Sequence, residues 1–169
     1  MEDTKVYHIL VAHSRKVADK ALAIAMMHPE MNLDLAYIEE AAMLHDIGII
    51  FCNAPNIDCY GMYDYICHGY FGAELLRKEG FPRHALVCER HTGTGITLAM
   101  IESKQLPLPR RNFIPVSLEE QLICFADKFF SKTKPDNEKN INQIQKSLQK
   151  HDEVSILRFK HWCKLFLGF

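Results

Sequence analysis

The sequence predicts an all-α fold, a helical bundle built as one domain. Apolar residues recur at spacings of three and four along nearly the whole chain, the period of helices with one buried face. No alternating run is framed by turn residues as a half-buried strand would be. A chain of 169 residues with 48% hydrophobic content is also long enough to bury one core without disulfides or a structural metal.

The elements follow in order. Leu10, Val17, Ala21 and Ala25, flanked by Ala18 and Leu22, form one apolar stripe and predict a first helix over 4–27. A second helix starts at Asn32 or Asp34, either of which can cap free N–H groups, and carries Ile38, Ala41, Ala42 and Leu44. Gly48 then offers a left-handed exit, which places His45 and Asp46 in the last turn. Residues 49–64, with Pro55 and Gly61, read as a loop before a third helix over 65–79 that Gly80 closes. Pro82 opens a short fourth helix ending near His91.

Residues 92–116 form a long connection containing Gly93, Gly95, Pro107, Pro109 and Pro115, with a helical turn or two over 96–103; connections of this length are often functional. Ser117 followed by Glu120 reads as a capping box for a helix carrying Leu118, Leu122, Phe125, Ala126 and Phe129, with Asp127 beside its apolar face. Pro135 interrupts the polar stretch 131–138, and one or two further helices include Ile141, Ile144, Leu148, Ile156 and Leu157. No repeat and no second domain is visible. The expected domain is therefore 1–169, with its core over 8–131 and C-terminal helices over 138–167 packing on it.

Twenty basic residues against 21 acidic ones give a net charge of −1, which argues against a general nucleic-acid or membrane field. No run of about 18 apolar residues is present to span a bilayer, and the first residues resemble no export signal, so a cytoplasmic location is expected. The six cysteines form no C-x-x-C pair and sit among apolar neighbours, as reduced buried thiols do. A homodimer is compatible with these features.

Six side chains carry the chemistry: His13, His45, Asp46, His68, His91 and Asp127, each in or at the end of an expected helix. Imidazoles and carboxylates projected inward from several helices are what a metal site in a bundle core requires. The adjacent His45–Asp46 pair follows Met43 and Leu44 where apolar contact is expected, and a buried polar pair needs partners. A carboxylate has two oxygens, so Asp46 can bridge two metals about 3.5 to 4 Å apart while His45 binds one. His84, Cys88 and His91 share a helix face at i, i+4 and i+7, but packing explains that spacing better than zinc. His8, His28, His151 and His161 read as structural.

Around these residues the chain resembles the HD superfamily of metal-dependent phosphohydrolases. His45-Asp46-Ile47-Gly48 matches the HDIG form of its motif, and the ordered set His13, His45-Asp46 and Asp127 matches the superfamily's ligands for one metal. His68, in His68-Gly69-Tyr70-Phe71-Gly72, and His91, in Arg90-His91-Thr92-Gly93, match the two histidines that dinuclear members add. The run from His91 through Leu106-Pro107 and Arg110-Arg111 to Ala126-Asp127-Lys128 resembles one HDIG subfamily. The Gly-Tyr-Pro extension of cyclic-dinucleotide phosphodiesterases is absent after His91.

This resemblance implies two divalent ions bridged by Asp46, with iron or manganese favoured and magnesium, zinc or nickel compatible. It implies hydrolysis of a phosphomonoester or phosphoanhydride, with a nucleotide as the substrate class and no membrane or nucleic-acid partner. Asp46 would help deprotonate the attacking water, while Lys128, Arg110 and Arg111 would offset charge on the phosphoryl group. Thr92 and Gly93 would shape the pocket wall. Two alternatives share the ligands: a di-iron oxygenase of the HD type, and a nucleotide-binding regulatory module.

Overall fold

The computed structural model describes residues 4–134, 137–150 and 152–168. The expected break at Pro135 and the expectation for His151 lie outside them. Eight α-helices are formed among these residues: α1 Lys5–Met27, α2 Leu35–Leu44, α3 His68–Lys78, α4 Pro82–Arg90, α5 Leu98–Ser103, α6 Leu118–Asp127, α7 Ile141–Gln149 and α8 Glu153–Leu167. The fold is all-α, as expected. The only sheet among the described residues pairs β1 Asn53–Ala54 with β2 Cys59–Tyr60, antiparallel, in the register Asn53 to Tyr60 and Ala54 to Cys59.

Polar caps start most of these helices. Thr4 accepts from the Tyr7 N–H, Asp34 from Tyr37, Thr97 from Met100 and Asp152 from Ser155. Asp34, rather than Asn32, therefore opens α2; Asn32 adopts the left-handed conformation at the end of the preceding 3-10 turn. The box expected at Ser117 forms only in half. The Ser117 hydroxyl accepts from the Glu120 N–H, but the Glu120 carboxylate turns to the Val116 N–H and to Arg90. The reciprocal box forms at α7, between Asn140 and Gln143.

One cluster of buried side chains runs through the bundle and joins Val17 and Ala21 of α1, Ile38 and Ala42 of α2, Leu122 and Phe125 of α6, and Phe159, Trp162 and Phe166 of α8. Phe125 stacks against Phe159 and Phe166 at ring-centroid separations of 5.3 and 5.6 Å. The C-terminal helices thus share their core with the segment carrying the polar residues. All six cysteines are buried and free.

The 3-10 turn Ile47–Phe51 follows α2 directly and packs against α3. Gly48 sits in it without a positive φ, which corrects the expected left-handed exit. Its function is close approach. A Cβ at Gly48 would overlap the His68 carbonyl oxygen and the backbone of Gly72, and one at Gly72 would meet the Cys88 sulfur at 2.5 Å. The two glycines let the turn and α3 touch backbone to backbone and let the Cys88 sulfur of α4 pack against them. Gly80, after α3, does have the positive φ of a helix terminator, +86°.

Candidate metal centre

Five segments converge on one point. His13 comes from the middle of α1, His45 and Asp46 from just beyond the end of α2, His68 from the first residue of α3, His91 from just beyond α4, and Asp127 from the last residue of α6. Helix ends supply more than position here. The Nδ1 atoms of His45, His68 and His91 lie 2.6, 2.6 and 2.7 Å from the carbonyl oxygens of Ala42, Tyr65 and Cys88, each three residues earlier. Each carbonyl oxygen accepts the imidazole N–H and fixes the ring with Nε2 inward.

Two groups result, sharing Asp46: His13, His45, Asp46 and Asp127, and then Asp46, His68 and His91. In the first, His13 Nε2 is 3.0 Å from Asp127 Oδ1 and 3.3 Å from Asp46 Oδ2, while His45 Nε2 is 3.0 Å from Asp46 Oδ2. In the second, His68 Nε2 and His91 Nε2 are 3.4 and 3.3 Å from Asp46 Oδ1 and 3.0 Å from each other. All are buried, and the Asp127 side chain is 10% exposed.

The charges balance toward a cation. Burial opposes ionisation of both carboxylates, yet His45 and Lys132 hold Asp46, and Lys128 with His13 and His45 holds Asp127, well below the usual carboxylate range. Burial likewise opposes charge on His45, but Asp46 and Asp127 lift its pKa to about 9. His68 is pushed down to about 3 by burial and the adjacent His91, and burial lowers His91 also. These two rings are therefore neutral, with their protons on Nδ1. Their Nε2 lone pairs and Asp46 Oδ1 then face one another with no hydrogen between them. Asp46 Oδ1 has no hydrogen-bond partner among the described residues, whereas Asp46 Oδ2 meets Lys132 and His45. Buried acceptors aimed at one another are costly unless a cation lies among them, and an imidazole–carboxylate set suits a divalent metal. The donor set fits.

Two lysines stand at the carboxylates. Lys132 Nζ is 2.6 Å from Asp46 Oδ2, and Lys128 Nζ is 2.8 Å from Asp127 Oδ2 and donates to the His91 carbonyl at 3.2 Å. Both open onto a cavity of about 580 Å3 that Asp127, Tyr65, Gly93 and Lys139 also line. Thr92 is absent from that lining, while Gly93 forms part of the wall.

The two loop arginines are elsewhere, which corrects their expected phosphate role. Arg110 is exposed and lines no part of this cavity. Arg111 pairs with buried Glu89 at 3.0 Å, where Arg77 also donates at 2.6 Å, and lies over the Phe113 ring. A buried carboxylate needs such partners, so Glu89 claims the arginine. His84 turns to Glu40 at 3.1 Å and meets the Tyr37 ring edge to face, while Cys88 packs under Gly72. No metal-holding group among the described residues includes either. His28 bridges Glu30 and the Phe166 carbonyl.

Lys132 and Lys139 were not foreseen. A lysine in a polar segment normally faces solvent, and only the fold turns these two toward the carboxylates. The single available signal was that Lys132 follows Asp127 by little more than one helical turn.

A helical bundle that converges imidazoles and carboxylates on one buried point defines a metal-binding class of protein. The model of the HD domain matches residues 10–131, and the chain belongs to that family. It is 35% identical over 128 residues to an uncharacterised protein of Methanocaldococcus jannaschii, covering 74% of this chain and 68% of that one. It is also 33% and 31% identical to proteins named tRNA (cytidine(56)-2'-O)-methyltransferase from Thermoplasma volcanium and Picrophilus torridus, covering 72% and 90% of this chain. The chain spans only 32% and 40% of those two proteins. Its fold is similar to that of the HD domain of the L. monocytogenes phosphodiesterase PgpH, with a TM-score of 0.53, 14% identity and coverage of 95% and 92% of the two chains. No described helix is long and apolar enough to cross a membrane.

Proposed function

We propose that the protein is a dinuclear metal-dependent phosphohydrolase acting on a phosphomonoester or phosphoanhydride, with a nucleotide as the substrate class. The observation that carries this reading is the set of facing acceptors, Asp46 Oδ1, His68 Nε2 and His91 Nε2, beside a second group that shares the other Asp46 oxygen. His13, His45, Asp46 and Asp127 would hold one ion, and Asp46, His68 and His91 the other, with iron or manganese favoured. Such ions supply an acidified water and polarise a phosphoryl oxygen.

The chain's own groups do the rest. Lys132, although buried, has a pKa raised above its ordinary value by Asp46 and Tyr65, so it stays an ammonium at neutral pH and can only donate. Lys128 is held the same way by Asp127. Both line the cavity and would meet the oxygens of a phosphoryl group there, where positive charge lowers the barrier to transfer. The closed, metal-sized centre and the balanced net charge favour a small molecule over a nucleic-acid duplex. Kinship with part of two tRNA methyltransferases makes an RNA-derived nucleotide a sensible member of the substrate panel.

The test is phosphate release from a panel of nucleotides by manganese- or iron-loaded protein under strict anaerobiosis. Release without oxygen is the expected result. Turnover that requires oxygen and a reductant would replace the hydrolase with the di-iron oxygenase, and metal loading with nucleotide binding but no turnover would leave a regulatory module.

A further inference from the structure

The cavity is larger than the reacting phosphate needs. A single phosphoryl group held between Lys128 and Lys132 fills a small part of its roughly 580 Å3, a volume in the range of sites that take whole small molecules. A third lysine, Lys139, lines the same space from the segment leading into α7. Lys128 and Lys132 are each paired with a carboxylate of the metal centre, whereas the Lys139 ammonium has no ion-pair partner among the described residues. Its backbone is anchored, the N–H donating to the Phe129 carbonyl at 2.8 Å, so the residue is held at the cavity rather than free in solvent.

A half-buried lysine without a counter-ion, near two others, is unfavourable until an anion arrives. Burial, together with the ammonium groups of Lys128 and Lys132, depresses its pKa against the pull of Asp127. The surrounding groups suit a phosphorylated organic molecule: Ile144 and Leu148 of α7 give an apolar wall, and Asn53 and Asn56 place amides at the rim.

We infer that Lys139 forms a second phosphate subsite, so that the preferred substrate carries at least two phosphoryl groups, one at the metal centre between Lys128 and Lys132 and one on Lys139. This rests on the phosphohydrolase reading. It adds that a nucleoside diphosphate or a nucleoside bisphosphate is preferred over a monophosphate, since either presents a second anion beyond the reacting one.

Binding of inorganic pyrophosphate and of inorganic phosphate to the manganese-loaded protein, measured by calorimetry, tests it without turnover. Loss of a charge-assisted contact should reduce the ratio of pyrophosphate to phosphate affinity by about ten-fold or more in Lys139→Met, and Lys139→Arg should restore it. Lys132→Met should weaken both ligands. Metal content and helical signal, measured alongside, show that the variants are folded and loaded. A ratio of doubly to singly phosphorylated ligand affinity that is unchanged in Lys139→Met for pyrophosphate, a nucleoside diphosphate and a 3',5'-bisphosphate alike, or equal weakening of all ligands, would overturn the subsite. The same titration with a nucleoside diphosphate and a 3',5'-bisphosphate separates the two sources, the correct one losing more affinity in Lys139→Met. Lys139-dependent pyrophosphate selectivity without any phosphate release from nucleotides would sink the hydrolase reading while the subsite stands. Phosphate release with an unchanged ratio would do the reverse.

Discussion

Substituting Gly48 by alanine should damage both the fold and the metal centre. The new Cβ would overlap the His68 carbonyl oxygen and lie 2.7 Å from the Gly72 Cα, with the Gly72 N–H also in the way. All three obstacles are backbone atoms, so no side chain can rotate aside, and the turn must separate from α3. Overpacking of this kind costs about 1 to 3 kcal/mol, and an all-backbone clash belongs near 3. The obstructing carbonyl belongs to His68 itself, so the separation also moves that imidazole away from Asp46 and His91. Misplaced ligand orientation weakens metal binding by about 10- to 100-fold. Urea unfolding and a manganese titration measure the two effects. Gly80→Ala is the control: nothing lies within 4 Å of its Cβ and φ is +86°, so only backbone strain is added, about 1 kcal/mol. If Gly48→Ala loses no more stability than Gly80→Ala and binds the second metal normally, the close-approach reading of Gly48 is wrong.

Other expectations follow from single contacts. Lys132→Met should lower kcat about 100-fold through lost charge at the phosphoryl group, whereas Arg110→Ala should stay within about two-fold, as compared by steady-state phosphate release. Phe159→Ala, at a fully buried site between Phe125 and Phe129, should cost about 3 to 5 kcal/mol in urea unfolding; a loss below about 1 kcal/mol would detach α8 from the core. The pKa of His28 is raised above 6.5, first by Glu30 and then by the Phe166 carbonyl. Its contribution is therefore complete below pH 6.5 and lost as pH rises through the raised folded value. The urea midpoint difference between wild type and His28→Ala should accordingly shrink from pH 6 to alkaline pH, and a difference that grows would contradict the ion pair.

Much of the centre was legible because metal ligation constrains residue type more tightly than packing does. His13, His45, Asp46, His68, His91 and Asp127 could be marked one by one, and the fold brings all six together. Helix limits were legible where capping chemistry is local, as at Asp34 and Ser117. The sequence was silent where a residue's meaning depends on what arrives from far along the chain. Gly48 resembles a helix terminator until α3 is seen against it. Arg111 resembles a phosphate ligand until buried Glu89 claims it, and Glu120 resembles half of a capping box until Arg90 and the Val116 N–H draw it off. Lys132 and Lys139 are ordinary surface residues until the segment after α6 folds over the carboxylates. The short β1–β2 pair was also missed, since two-residue strands leave no periodicity to read.

The most direct test of the Asp46-centred site is metal stoichiometry by elemental analysis on wild type, Asp46→Ala and His68→Ala, with circular dichroism on the same samples. Wild type should hold about two ions per chain, His68→Ala about one and Asp46→Ala none, as expected when both groups share one bridging carboxylate, with helical content retained throughout. Full metal occupancy in a folded Asp46→Ala protein would contradict it.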